Sequence, residues 1–158
     1  LPHPPQAIAS GKKLGNGVLF MLHSMQDEGV LDSTWGGSLA DMVRFCQELT
    51  VVRDERLIEA VAGKGAHLAA RLRELQRRFS DQVRNIRGSG LYQGFSLASS
   101  ELKAAVIEAA LQDEHTLLLG AAETSIRLRP NLNVSADEID LLAQKLNRVL
   151  ARIEGSLG

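Results

Sequence analysis

The spacing of apolar and polar positions changes several times along this 158-residue chain, and each change predicts an element. Residues 17–22, GVLFML, form a short continuous apolar run after glycines, the pattern of a buried strand. Residues 1–10 are proline-rich and then read as extended, because the proline ring and its effect on the preceding residue disfavour helix. HSMQDEG (23–29) reads as loop. From Ser38 the period becomes helical, with Leu39, Met42, Val43, Cys46 and Leu49 recurring at three- and four-residue steps. Ser38 followed by Asp41 predicts an N-terminal cap, with negative charge at the positive end of the helix. A second helix is predicted over 54–79, with Leu68, Leu72, Leu75 and Phe79 on one stripe. Gly63 and Gly65 are candidate points for a kink or break in it, and Arg71, Arg73, Arg77 and Arg78 mark its outer face.

Short strands and helices then alternate. QVRNIRG (82–88) and LYQGFSL (91–97) flank Gly88-Ser89-Gly90, a hairpin-type turn. A helix over 101–111 follows, then the apolar TLLLG (116–120), then TSIRLRP (124–130), where Pro130 ends the strand. Ser135-Ala136-Asp137-Glu138 is a capping box opening a last helix, whose stripe runs Ile139, Leu142, Leu146, Val149, Leu150 and Ile153. The order is strand, long helices, then β-β-α-β-β-α, an α/β layered module.

Composition adds exclusions. A hydrophobic fraction of 44% supports a genuine core, and a formal charge of −1 gives no positive field that would argue for nucleic acid or an acidic membrane surface. No apolar run approaches the roughly 20 residues of a membrane span. The single cysteine, Cys46, excludes an internal disulfide framework and fits the reducing cytoplasm. His3, His23, His67 and His115 show no metal-ligand spacing, so no metal is expected. The chain starts at Leu1 and opens LPHPP, which reads as the middle of a longer polypeptide.

Three places carry candidate chemistry, each beside a plainer reading. Lys12-Lys13 is bracketed by Gly11, Gly15 and Gly17; it is a solvated loop, or one lysine is a nucleophile whose amine a neighbouring cation helps keep neutral. In DSTWGGS (32–38), Ser33, Thr34 and two glycines precede a helix N-terminus, which suits a phosphate; equally, Ser33, Thr34 and Ser38 simply cap the helix. In SIRLRPNL, Arg127 and Arg129 share one strand face, which suits a carboxylate gripped by guanidinium or an exposed sheet edge.

Taken in order, these segments resemble the carboxyl-terminal part of class III pyridoxal-phosphate aminotransferases, from about residue 5 to residue 153. PQAIASGKKLGNGV is similar to the family segment that ends in the Schiff-base lysine, and counting back from Gly17 selects Lys13. STWGGSLADMVR resembles the family's Ser-Thr-Trp/Tyr-Gly-Gly-Asn stretch, its DMVR that of the L-lysine 6-aminotransferase subgroup. NIRGSGLYQGF resembles the strand entry to the small domain, and SIRLRPNLNVSADEID the segment leading to the closing helix. Departures are Gly17-Val18 in place of a glycine pair, Ser38 in place of asparagine, and a missing second proline in RPNL.

The resemblance implies a fold: the end of a large pyridoxal-phosphate-binding domain (1–50) and a small α/β domain (51–158). It implies Lys13 as the covalent anchor and proton carrier, Thr34 as a phosphate ligand reaching the neighbouring subunit of a homodimer, Ser33 as a helper, and Arg127 as the carboxylate ligand. It implies transfer of a terminal amino group, from L-lysine in the subgroup it most resembles, to 2-oxoglutarate; ornithine, 4-aminobutyrate and diaminobutyrate are the other donors. The family's glycine turn, ring-stacking aromatic and pyridine-pairing aspartate precede this lysine. The expectation is therefore a fragment inactive by itself, or a truncated, non-catalytic dimerisation module.

Overall fold

The computed structural model describes residues 4–11, 18–23 and 38–156. The chain divides after Arg56 into two units, Leu1–Arg56 and Leu57–Gly158.

In the first unit the extended stretch after the prolines, β1 (Ala7–Ser10), pairs antiparallel with the apolar run, β2 (Val18–Met21). The register runs from Ala7↔Met21 to Ser10↔Val18. The strand is where the apolar run placed it, yet it is not buried: Phe20 is 61% and Leu22 64% exposed. A two-stranded ribbon covers neither of its own faces, so apolar content alone leaves it open. Helix α1 (Leu39–Asp54) starts where its cap predicts, with the Asp41 N–H donating to Ser38 Oγ at 3.4 Å. Its apolar stripe likewise has no buried member.

The second unit holds the core. Helix α2 (Leu57–Arg78) runs unbroken through Gly63 and Gly65 and buries the expected Leu68, Leu72 and Leu75. Strands β3 (Val83–Ser89) and β4 (Tyr92–Leu97) form a hairpin, with Ser89 opposite Tyr92. The turn therefore falls on Gly90-Leu91, beyond the Gly88–Gly90 stretch expected from composition, and Gly90 takes a positive φ of 54°. Helix α3 (Ser100–Glu114) extends past residue 111 because His115 (φ 49°) supplies a left-handed stop and the Thr116 N–H returns to the Ala110 carbonyl at 2.8 Å. That closure uses up Thr116, so β5 is only Leu119–Ala121 rather than 116–120. Strand β6 (Ser125–Leu128) and helix α4 (Ala136–Ser156) complete the unit.

The four strands order as β3-β4-β6-β5, all antiparallel. Phe95 and Leu97 of β4, Ile126 and Leu128 of β6 and Val83 of β3 join Leu68, Leu72, Val106, Ile139, Leu146 and Leu150 of the helices in one cluster. Their alternation fixes the sheet: odd positions of β4 and even positions of β6 turn to the helices, and the intervening residues form the other face. Helices α2 and α4 are tied by Asp140, whose Oδ1 accepts from Arg71 Nε at 2.6 Å and lies 2.7 Å from His67 Nε2. The Arg71 guanidinium holds the Asp140 carboxyl below the usual carboxylate range. Among the described residues no helix is long and apolar enough to cross a membrane, and no cluster of side chains has the make-up of a metal site.

The capping box closes reciprocally: the Ser135 N–H donates to Glu138 Oε2 at 2.8 Å and the Glu138 N–H to Ser135 Oγ at 3.1 Å. The Ser135 N–H, with its hydroxyl, pulls the Glu138 carboxyl below its ordinary value. Replacing Ser135 with Ala removes a cap worth about 1 kcal/mol. In the full-length protein, amide exchange in the first turn of α4 should accelerate by roughly fivefold. Unchanged protection at Glu138 would show that the cap contributes nothing.

Candidate functional site

The face of the four-stranded sheet turned away from the core cluster carries Arg87 and Arg127. In β6, burying Ile126 and Leu128 forces Ser125 and Arg127 onto this opposite face. Arg127 stands across from Gly94 of β4 on one side and Leu119 of β5 on the other. Gly94 in turn pairs with Arg87 of β3. One row across three strands therefore reads Arg87, Gly94, Arg127. Adjacent strands lie about 4.8 Å apart, so the two arginines start roughly 10 Å from each other, with no side chain between them.

The two guanidiniums are held differently. Arg87 donates from Nη1 to the Asn85 carbonyl at 2.9 Å and to Ser96 Oγ at 3.1 Å. Its Nη2 donates to Ser125 Oγ at 2.7 Å, and Ser96 and Ser125 hydroxyls are 3.2 Å apart. The Nε of Arg127 is buried and has no hydrogen-bond partner among the described residues. An orphaned guanidinium donor costs free energy unless something accepts from it, and a carboxylate is the acceptor whose geometry it matches. A cavity of about 320 Å³ is lined by Arg87, Tyr92, Gly94, Ser125 and Arg127. No ion pair to either arginine occurs among the described residues. Among the described strand residues this face carries two arginines and no acidic side chain.

Of the residues singled out by sequence, Arg127 thus lies in a cavity lining with its Nε unpartnered among the described residues. Arg129 lies past the end of β6 at Leu128 and is exposed; it is absent from that cavity, though it lines a second one with Arg127. Lys12, Lys13, Ser33 and Thr34 fall outside the described residues. The chemistry of that donor set fits pyridoxal phosphate, a primary amine for an aldehyde and two hydroxyls for a phosphate. In the sequence Arg87 stands only within a strand-entry motif. The signal that finds it is register, since a turn at Gly90-Leu91 sets Ser89 against Tyr92 and so Arg87 against Gly94.

Comparison with known proteins gives the same direction along most of the chain. Residues 2–150 match the family model described as aminotransferase class-III. The chain is 42% identical over 110 residues to the L-lysine-epsilon aminotransferase of Mycobacterium tuberculosis, covering 70% of this chain and 24% of that one. It is 35% identical over 158 residues to the acetylornithine aminotransferase of Gloeobacter violaceus, covering 94% and 38%. A solved structure of lysine aminotransferase from M. tuberculosis superposes with a TM-score of 0.86 at 32% identity, covering 95% of this chain and 36% of that one. The chain thus spans about a quarter to two-fifths of the length of these relatives.

Proposed function

Because this chain belongs to the class III aminotransferase family, we propose that it works as the carboxyl-terminal part of a longer, pyridoxal-phosphate-dependent enzyme that moves a terminal amino group to 2-oxoglutarate. In this reading residues 1–50 complete the larger cofactor-binding domain and residues 51–158 form the smaller one. The enzyme is a homodimer of the reducing cytoplasm, a setting that its single cysteine suits. The donor is L-lysine, supported by the identity to the mycobacterial lysine enzyme. A donor of the ornithine type is the second reading, favoured by the acetylornithine relative that covers more of this chain.

The observation that carries the proposal is the buried Nε of Arg127, unpartnered among the described residues, in one cavity lining with Arg87. Both half-reactions of such an enzyme admit a molecule bearing a carboxylate, and Arg127 binds that group and so orients the carbon beyond it. Lys13 anchors the cofactor through its ε-amine and afterwards carries a proton on Nζ to and from the reacting carbon. Thr34, with help from Ser33, donates its hydroxyl to the phosphate of the neighbouring subunit's cofactor. The cofactor, when bound, supplies the electron sink.

The test uses the full-length protein with L-lysine or ornithine as donor and 2-oxoglutarate as acceptor, following glutamate. Glutamate formed with either donor is the expected result, and none with any diamine or ω-amino acid overturns the reading. Arg127→Ala should then raise KM for donor and acceptor by at least about tenfold, the cost of a lost charged hydrogen bond, while cofactor content stays unchanged. An unaltered KM would remove Arg127 from the site.

A further inference from the structure

We propose that Arg87 is a positioning residue for carboxylate binding at Arg127, acting through the hydroxyls of Ser96 and Ser125; this rests on the reading of Arg127 given above. Arg87 begins on β3, beside Gly94, yet its guanidinium does not stay there. It reaches one same-face position along β4 to Ser96 and across to Ser125 on β6. Ser125 and Arg127 are alternate residues of one strand and share the open face. A single guanidinium therefore ties β3, β4 and β6 together beside the place where Arg127 must aim.

Three features make this more than a surface contact. Arg87 uses both terminal nitrogens on oxygens of three different residues, a span that a planar fork provides and a point charge does not. The bridge lies next to a β-bulge, between Arg84 and Arg87, with Asn85 at a positive φ of 51°. Bulges commonly re-aim a side chain, and here the Asn85 carbonyl accepts from Arg87 at 2.9 Å. Finally, an arginine has five N–H donors, and the bonds described use three. Arg87 and Arg127 line one cavity together. Arg87 both fixes the floor on which Arg127 stands and adds to the field that draws an anion there.

The experiment compares full-length wild type with Arg87→Lys, Arg87→Met and Ser125→Ala, measuring kcat and KM for 2-oxoglutarate together with thermal midpoint and cofactor content. The expected result is a KM raised by roughly five- to tenfold in all three variants, with kcat and cofactor content kept. Lysine should not rescue, because it retains the charge but not the fork. Three outcomes overturn the inference: KM unchanged in Arg87→Met, full rescue by Lys, or a fall in thermal midpoint with kinetics unaltered. Ser125→Ala removes one hydroxyl only and keeps the test decisive if an Arg87 variant folds poorly. Absence of aminotransfer in wild type would instead sink the functional reading itself, so the two failures are distinguishable.

Discussion

Lys13→Ala in the full-length protein is expected to abolish covalent retention of the cofactor and to lower turnover by at least about a thousandfold, within the range attributed to a positioned acid–base group. In the proposed function two jobs fall to one amine. As a nucleophile it must be neutral when it attacks. As a base it must take a proton from the reacting carbon and return it. Lys12→Ala is the control, expected to keep both attachment and most of the rate. The measurement is borohydride reduction, proteolysis and mass spectrometry. The reduced adduct should sit on Lys13 in wild type and in Lys12→Ala, and vanish in Lys13→Ala. An adduct on Lys12, or one that survives Lys13→Ala, would reverse the assignment.

What the sequence made legible follows the range of each interaction. Helix ends were readable because caps are local: Ser38 accepts from Asp41, and Ser135 and Glu138 exchange bonds within one turn. The stripes of α2 and α4 were readable because a core-facing helix repeats its apolar side regularly. Strand limits were less so. Thr116 to Leu118 look like strand, but the stop at His115 claims Thr116 for the helix end, a decision made by backbone geometry rather than by hydrophobicity. The run in β2 reads as buried and is exposed, and the apolar stripe of α1 has no buried member, since apolar pattern says that a face prefers cover without saying what covers it. The site divides in the same way. Arg127 was visible through its strand and a resemblance, whereas Arg87 needed two strand registers at once, and register across β6 depends on contacts far apart in sequence.

Gly65 and Gly63 should respond to alanine in opposite directions, although they lie two residues apart on one helix. Sequence alone treats them alike, as weak points where α2 could bend. In the structure α2 is continuous, and a Cβ on Gly63 meets nothing within 4 Å. Gly63→Ala should therefore stabilise the protein by about 0.5–1 kcal/mol, the helix-propensity gain. A Cβ on Gly65 would lie 2.5 Å from the Gly90 carbonyl oxygen and 2.7 Å from its Cα. Those are backbone atoms of the β3–β4 turn, so no side-chain rotation relieves the clash. The hairpin must move away from α2, and Gly65→Ala should cost on the order of 3 kcal/mol, at the upper end of overpacking effects. The displaced hairpin carries Arg87 and Gly94, so the damage should reach the anion-binding face as well. Denaturant unfolding of the full-length variants reads the two stabilities, and hydrogen exchange across 83–97 reads the hairpin. Equal effects of the two substitutions, or full protection of the hairpin in Gly65→Ala, would mean that α2 and the turn do not meet as closely as their backbones indicate.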